Sequence, residues 1–288
     1  MDQLMKCMAH VDMVKISVVE TTNLVEEARK IHELNPTPTA ALGRLLTMGV
    51  MMGTMMKNET DRLTLQIIGD GPAHQLLVSA DNKGNVKGYL SDPLAEAPLK
   101  ENGKLNVSGI IGKGSLNVIK DVGLKEPYVG SVPLQTSEIA EDFAYYYAIS
   151  EQIPTAIGLG VLVNADGSVK KAGGFLMQIM PDTPEQIITL IENRIKEANS
   201  MTEMLEEGMT LEEIAKYITD DLATYVVETI EPKYQCDCSK ERMEQAIISI
   251  GKKDLKELAE DEVTEIQCHF CNKKYHFTRE EIIKLIQS

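Results

Sequence analysis

The chain is acidic and long enough for one large domain and a smaller one. It has 288 residues, 43% of them hydrophobic, and a formal net charge of −15. Residues 1–231 carry 19 Lys/Arg against 33 Asp/Glu, and residues 232–288 carry 10 against 11, so neither part has the basic surface that nucleic-acid binding requires. No basic leader opens the chain, and no run of 18 apolar residues occurs. We therefore expect a soluble, cytoplasmic protein without nucleic-acid or membrane partners.

The first part of the chain predicts a strand, a helix and then a methionine-rich helix. Residues 14–19 form a strand-like run, and a helical pattern follows them. Cys7 stands alone, which indicates a buried small apolar side chain more than a reactive thiol. After Pro36, apolar residues recur at helical spacing from Leu42 to Met56. This pattern predicts a helix that packs in the core, although a methionine-rich face could also bind many partners.

The middle of the chain predicts an antiparallel sheet. Short apolar segments bounded by turn residues indicate a β-meander, with strands at residues 63–68, 74–79, 86–90, 104–108, 115–119 and 128–132. Gly112-Lys113-Gly114 lacks the following Ser/Thr and helix of a phosphate-binding loop, so we interpret it as a hairpin turn. A helix capped by Ser137 is predicted to end before Pro154. Two further strands are predicted at residues 156–163 and 172–180.

Residues 181–231, which we call the linker, differ from the sheet region because their apolar residues recur at helical spacing. Capping boxes are predicted at Thr183 and Thr210. One helix face carries four isoleucines: Ile187, Ile188, Ile191 and Ile195. The linker is therefore predicted to be helical, acidic and amphipathic. It is either an ordinary subdomain packed on the sheet, or a cover that stays folded only while its far end is held.

The last part of the chain has the cysteine spacing of a zinc site. Four of the five cysteines lie there as two close pairs: Cys236 and Cys238, then Cys268 and Cys271. Two such pairs, separated by 29 residues, are typical of a closed tetrahedral Zn²⁺ site with Zn–S distances of about 2.3 Å. In a reducing compartment metal binding is favoured over structural disulfides. His269 and His276 are not required, because four thiolates complete the shell.

The same four thiolates could form a structural site or a redox switch, because thiolate both binds zinc and reacts with oxidants. A structural zinc contributes about 10–16 kcal/mol to the folding of small zinc peptides, so loss of the metal is expected to unfold this short module. Three alternatives remain. A zinc-ribbon nucleic-acid module is opposed by the charge count, and a thiol–disulfide oxidoreductase by the lack of a thioredoxin-like βαβ unit. A purely structural site predicts that mild peroxide leaves the metal in place.

Several segments spread along the chain resemble one known family. Its signature is Cys-x-Cys, about thirty residues, then Cys-x-x-Cys, and further matching stretches lie at residues 69–72, 141–143, 150–155, 172–181 and 238–242. The chain resembles the redox-regulated holdase chaperones of the thirty-three-kilodalton heat-shock protein family. The resemblance implies an α+β fold: an antiparallel-sheet domain with packed helices at residues 1–180, a helical regulatory linker at 181–231, and a small zinc-binding redox-switch domain at 232–288.

The resemblance also implies a function. Reduced protein would hold one Zn²⁺ per chain through the four paired cysteines and be inactive. Oxidation would form the disulfides Cys236–Cys238 and Cys268–Cys271, release zinc and disorder the linker. The active form, often a homodimer in this family, would hold unfolding or oxidatively damaged proteins without ATP. The expected protein is a chaperone and not an enzyme, so no catalytic residue is predicted.

Overall fold

The protein is described here from a computed structural model, which covers residues 1–287 and their side chains except those of residues 252, 253 and 287. Its strands are β1 (Gln3–Ala9), β2 (Val14–Glu20), β3 (Arg62–Gly69), β4 (Gln75–Ala80), β5 (Asn85–Leu90), β6 (Gly114–Asp121), β7 (Tyr128–Pro133), β8 (Thr155–Val163), β9 (Val169–Ile179), β10 (Tyr225–Ile230), β11 (Lys233–Tyr234), β12 (Val263–Gln267) and β13 (Lys274–Thr278). Its helices are α1 (Thr22–His32), α2 (Pro36–Gly53), α3 (Val107–Ile111), α4 (Ala140–Tyr146), α5 (Glu185–Glu197), α6 (Met201–Glu206), α7 (Leu211–Ile218), α8 (Lys240–Ser249), α9 (Lys252–Leu258) and α10 (Arg279–Gln287), with a π-helical turn at Tyr147–Glu151.

The contacts divide the chain into two units, Met1–Tyr234 and Gln235–Ser288, which we call the main unit and the cysteine unit. The main unit has one sheet in the order β10-β1-β2-β9-β8 and another in the order β11-β5-β4-β3-β6-β7. Neighbouring strands are antiparallel except for the short β11, which runs parallel to β5. The cysteine unit has the hairpin β12-β13 with helices α8 to α10. This architecture confirms the predicted α+β class.

Helix α2 is the centre of the main core. It starts with Pro36 at its first position, where a missing N–H costs nothing, and it contacts both sheets. Nearly all of its side chains are buried, and Met48 and Met51 are inaccessible to solvent. The methionine-rich helix is therefore a core helix, as the first interpretation predicted, and not an exposed binding face. Cys7 is likewise buried.

The second sheet differs from the predicted meander. Strand β6 does not follow β5 at the edge but lies on the other side of β3. The strand predicted at residues 104–108 is absent, because Asn106 accepts a hydrogen bond from Gly109 N–H and begins helix α3. The predicted cap at Ser137 is also wrong. Ser137 has a left-handed backbone, and Asp142 instead accepts the N–H groups that precede α4.

The linker contains the predicted helices, α5 to α7, but ends in a strand. Thr210 forms the predicted capping box with Glu213. Thr183 forms none, because its hydroxyl donates to the carbonyl of Met180 instead. Residues 225–230 form β10, which pairs with β1. A Tyr-Val-Val-Glu-Thr-Ile sequence favours a strand because β-branched and aromatic residues fit a pleated surface.

The linker helices bury a second apolar core against the first sheet. This core, which we call the linker core, contains buried residues of β1, β2 and β9 on one side and of α5 to α7 on the other: Cys7, Ala9, Val14, Ile16, Val18, Phe175, Met177, Ile191, Met201, Met204, Leu205, Leu211, Ile214, Ala215 and Ile218. Across the described residues, none of the helices has the length and apolar character to span a bilayer.

Candidate functional site: a four-thiol cluster

The four paired cysteines meet in the cysteine unit. Cys236 and Cys238 lie in the extended segment before α8. Ser239 caps the start of that helix by accepting a hydrogen bond from the N–H of Arg242. Cys268 and Cys271 lie in the turn between β12 and β13. All four sulfur atoms lie within 4.8 Å of one another, so residues 32 or 33 positions apart in the chain share one site.

The spacing of the sulfur atoms fits a tetrahedral metal. The Sγ atoms of Cys236 and Cys268 are 3.7 Å apart, and those of Cys238 and Cys271 are 3.4 Å apart. Four sulfurs at about 2.3 Å from a central ion lie about 3.8 Å from each other in a regular tetrahedron. All four thiols are free. The cluster can therefore hold one metal ion with little movement of the chain.

A tight turn positions the second pair. The N–H of Cys268 donates to the carbonyl of Lys273 at 2.9 Å, and the N–H of Asn272 donates to the carbonyl of Cys268 at 2.8 Å. Asn272 has φ +57°, a left-handed conformation that asparagine tolerates better than most residues. The backbone N–H of Lys273 also reaches the sulfur of Cys271. These bonds aim both sulfurs of the pair into the cluster.

Burial and hydrogen bonding give the thiols different acidities. Burial raises the pKa values of Cys236 and Cys271 above the ordinary thiol value. Burial also acts on Cys238, but hydrogen bonds outweigh it and lower its pKa to about 7. The principal donor is the hydroxyl of Tyr275, 3.1 Å from the sulfur of Cys238. The hydrogen bond from Tyr275 therefore favours the thiolate form of Cys238.

The cluster is continuous with a small apolar core. Cys268 is buried beside Phe277, Ile282, Ile247 and Leu255. The few side chains of this core leave the unit marginal, because a domain this small buries too little apolar surface for high stability. A metal held by the four sulfurs would therefore supply a large part of the folding energy.

The structure separates the four cysteines from the other candidate ligands. The group of metal-ligating side chains found among the described residues consists of these four cysteines, without His269 or His276. His276 instead lies 3.8 Å from a carboxylate oxygen of Glu265. Cys7 is in the main unit, where burial raises its pKa to about 11, so it is an inert thiol at neutral pH.

Two tyrosines with buried or directed hydroxyl groups were not predicted. Tyr275 is one, and its contact with Cys238 depends on the fold of the hairpin. Tyr234, two residues before Cys236, is buried in the main unit, where its hydroxyl donates to the carbonyl of Gly88 at 2.8 Å and lies 3.1 Å from Nε2 of His32. The sequence signal was weak, since a tyrosine followed by polar residues suggests a surface loop.

Comparisons with known proteins all identify the same family, with matches over nearly the whole chain. The family model described as "Hsp33 protein" matches residues 2–278. A "33 kDa chaperonin" of Clostridium botulinum is 51% identical over 289 aligned positions, covering 100% of this chain and 98% of the relative. One of Clostridium perfringens is 52% identical, covering 99% and 91%. The crystal structure of 33 kDa chaperonin (heat shock protein 33 homolog) from Thermotoga maritima is 37% identical with a TM-score of 0.92, covering 99% and 97%.

The fold and its relatives are those of a chaperone family and not of an enzyme family. The chain belongs to the Hsp33 family. Its four-cysteine cluster could hold a metal ion, and membership of a chaperone family implies that it binds client proteins.

Proposed function

We propose that the protein is a redox-regulated, ATP-independent holdase of the cytoplasm. In the reduced state it holds one Zn²⁺ through Cys236, Cys238, Cys268 and Cys271 and is inactive. Oxidation converts it into a binder of unfolding or oxidatively damaged proteins, in the form of a homodimer. The observation that carries this proposal is the gathering of four free thiols within 4.8 Å, which suits both tetrahedral metal binding and disulfide formation.

In the reduced state Zn²⁺ would supply a positive charge that keeps the four sulfurs as thiolates. The chain contributes the arrangement of those sulfurs. The Tyr275 hydroxyl and the backbone N–H of Lys273 donate to Cys238 and Cys271, which fixes the orientation of both sulfurs. Such outer hydrogen bonds commonly tune the ligands of metal sites.

Oxidation proceeds by two successive steps at each cysteine pair. A thiolate attacks one oxygen of hydrogen peroxide, the O–O bond breaks, and a sulfenic acid and hydroxide form. A second thiolate then attacks the sulfenic sulfur, the S–S bond forms, and hydroxide leaves. Each disulfide thus consumes one peroxide and two protons and gives two waters. We propose the pairing Cys236–Cys238 and Cys268–Cys271, after which no thiolate remains to hold zinc.

Loss of the metal should unfold the cysteine unit. The zinc contribution of about 10–16 kcal/mol in small zinc peptides is as large as the whole stability of a typical domain, about 5–15 kcal/mol. The two disulfides close very short loops and restrict the unfolded chain little, so they do not replace that contribution. Only residues 232–234, which include β11, separate the linker from this unit in sequence. The linker would then lose its folded C-terminal neighbour.

Unfolding of the linker would expose apolar side chains of the linker helices and of the first sheet. Helices α5 to α7 contribute Ile191, Met204 and Ile214 to the linker core, and the first sheet contributes Phe175 and Met177. All five are buried. A large newly exposed apolar surface is the feature that binds unfolding proteins.

The test follows zinc and client aggregation in the same sample. Zinc-loaded protein is treated with peroxide at elevated temperature, zinc is followed with a chromogenic chelator, and light scattering is followed from a heat-unfolding client. Peptide mapping identifies the disulfides, and size-exclusion chromatography measures the mass. We expect release of one zinc, the two local disulfides, a dimer and suppressed scattering. Cys7→Ala is the matched control, since it removes a cysteine outside the cluster and should behave as wild type.

Two results would contradict the proposal. Zinc that stays bound under peroxide would favour a purely structural site. Zinc that leaves without suppression of scattering would separate the thiol chemistry from chaperone activity.

A further inference from the structure

Strand β10 covers one edge of the first sheet but buries little of itself. It pairs with β1 and is the outermost strand on that side. Tyr225, Val226 and Val227 are 48%, 36% and 60% exposed, and nearly every residue of the strand is exposed. A strand with apolar side chains exposed on both faces is held chiefly by its backbone ladder.

The ladder between β10 and β1 is short and irregular. It has five residue pairs with a bulge between Lys6 and Cys7. The ion pair between Lys6 Nζ and Glu228 Oε2, at 2.9 Å, is partly exposed and therefore weak. By contrast β1 also pairs with β2 over all seven of its residues. Strand β1 can therefore keep its place in the sheet when β10 leaves.

The position of β10 in the chain connects it to the linker. It follows α7 and is the last element of the linker. Strand β7, the edge strand of the second sheet, differs in its position in the chain, although it too exposes the apolar side chains of Tyr128 and Val129. Since β7 lies outside the linker, its edge is the same whether the linker is folded or not. The edge of β1 is instead covered by a strand that belongs to the linker.

We propose that the edge of β1 now occupied by β10 is a docking site for an extended segment of a client protein. This inference rests on the proposed function, in which oxidation unfolds the linker. Once β10 leaves, the outward N–H and C=O groups of β1 lose their partners, and a client segment restores them by adding as a new strand. Strand β10 thereby acts as the resting occupant of the client site.

The sequence of β10 indicates the class of client segment. Tyr-Val-Val-Glu-Thr-Ile is mostly apolar and rich in β-branched residues, like the segments of a folded protein that become exposed when it unfolds. The affinity in strand addition comes from main-chain hydrogen bonds. Such a site accepts many sequences, which suits a chaperone, and it selects extended segments of about six residues without proline.

The first experiment locks β10 onto β1. Lys6 and Glu228 lie directly opposite each other, so the double variant Lys6→Cys, Glu228→Cys places two thiols where peroxide can join them, with two thiols and one peroxide giving one disulfide and two waters. We expect this variant to release zinc as wild type does but to lose most of its suppression of client scattering. The matched control is Glu228→Cys alone, which cannot form the lock and should suppress scattering.

The second experiment needs no change in the protein. A labelled peptide with the sequence of β10, residues 225–230, and a lysine added at each end is titrated into the reduced and the oxidised wild-type protein. We expect it to bind the oxidised form and to compete with the client. The same peptide with Glu228→Pro and Thr229→Pro should do neither, since both residues pair with β1 and proline removes an N–H donor and disrupts strand pairing.

The outcomes distinguish this inference from the proposed function. Full suppression of scattering by the variant with a verified lock, or equal competition by the proline peptide, would overturn the strand-docking site while leaving the redox chaperone intact. A wild-type protein that retains zinc or never suppresses scattering under peroxide would instead overturn the proposed function itself.

Discussion

Ile214 is the residue at which the conditional stability of the linker can be measured. It lies on α7, is inaccessible to solvent and belongs to the linker core. Ile214→Ala removes three carbon atoms from a closely packed site, and substitutions of this kind cost about 2–5 kcal/mol. Because the side chain packs between the linker helices and the first sheet, the cost falls on the equilibrium between the folded and the open linker.

The expected size of the effect follows directly. A loss of about 3 kcal/mol raises the population of the open linker more than about a hundredfold, since each 1.4 kcal/mol is a factor of ten. Amide hydrogens of α5 to α7 should therefore exchange about a hundredfold faster in the zinc-loaded, reduced variant. The same sample should begin to suppress client scattering without any oxidant, while its zinc content stays at one per chain.

Ile67→Ala is the matched control. Ile67 is also fully buried, but it lies on β3 in the main core around α2. It should lower the stability of the whole main unit without selectively speeding exchange in the linker helices. Unchanged exchange of α7 in Ile214→Ala, or a reduced variant as inactive as wild type despite faster exchange, would refute the view that packing of the linker restrains the chaperone.

Three further predictions follow from other contacts. Cys268→Ser removes one of the four sulfurs proposed to hold zinc, so bound zinc measured by chelator titration should fall and the reduced protein should suppress scattering; full zinc and full inactivity would contradict this. Tyr234 lies in β11, between the linker and the cysteine unit in sequence, and its hydroxyl donates to Gly88 of β5. Tyr234→Phe removes this attachment at a cost of about 1 kcal/mol, so the linker should open more easily and the peroxide concentration at half-maximal activation should fall; an unchanged concentration would contradict this. Hydrogen bonding from Arg29 lowers the pKa of Glu26 to about 2, below its value in the unfolded chain. The ionised Glu26 therefore stabilises the folded protein above about pH 4.5, and this contribution is lost as pH falls toward 2. Glu26→Gln should reduce the fall in the free energy of unfolding over this pH range, measured by urea unfolding, and an unchanged pH dependence would contradict the shift.

The four-thiol cluster could be predicted from the sequence because its signal is local. Cys-x-Cys and Cys-x-x-Cys place each pair of sulfurs on one short segment, and metal geometry then requires the two pairs to meet. Helix starts such as Thr210 and Ser239 were also predictable, because the cap and the N–H that it accepts lie within three residues. The core role of α2 followed from the periodicity of its apolar residues.

The remaining features depend on partners distant in the chain. Strand β10 has a strand-like composition, but it follows three helices in the chain. Its hydrogen-bonding partner is the edge of β1, which lies more than 200 residues earlier. The strand order of the second sheet, with β6 beside β3, is likewise set by contacts between segments that are distant in the chain. The segment at residues 104–108 alternates as a strand does, and the local cap at Asn106 overrides that pattern. The hydroxyl of Tyr275 reaches Cys238 only through the folded hairpin.

Two of the three linker helices are too short to be stable by themselves. Helices α6 and α7 have 6 and 8 residues, whereas isolated helices shorter than about 12–15 residues are marginal in water. The capping boxes at Ser200 and Thr210 add about 1 kcal/mol each, which is less than the cost of nucleating a helix from coil. These helices therefore exist because Met204, Leu211 and Ile214 pack on the first sheet. We therefore expect the linker to open as a unit when that packing is disturbed, and its opening to uncover the sheet face and the edge of β1 together.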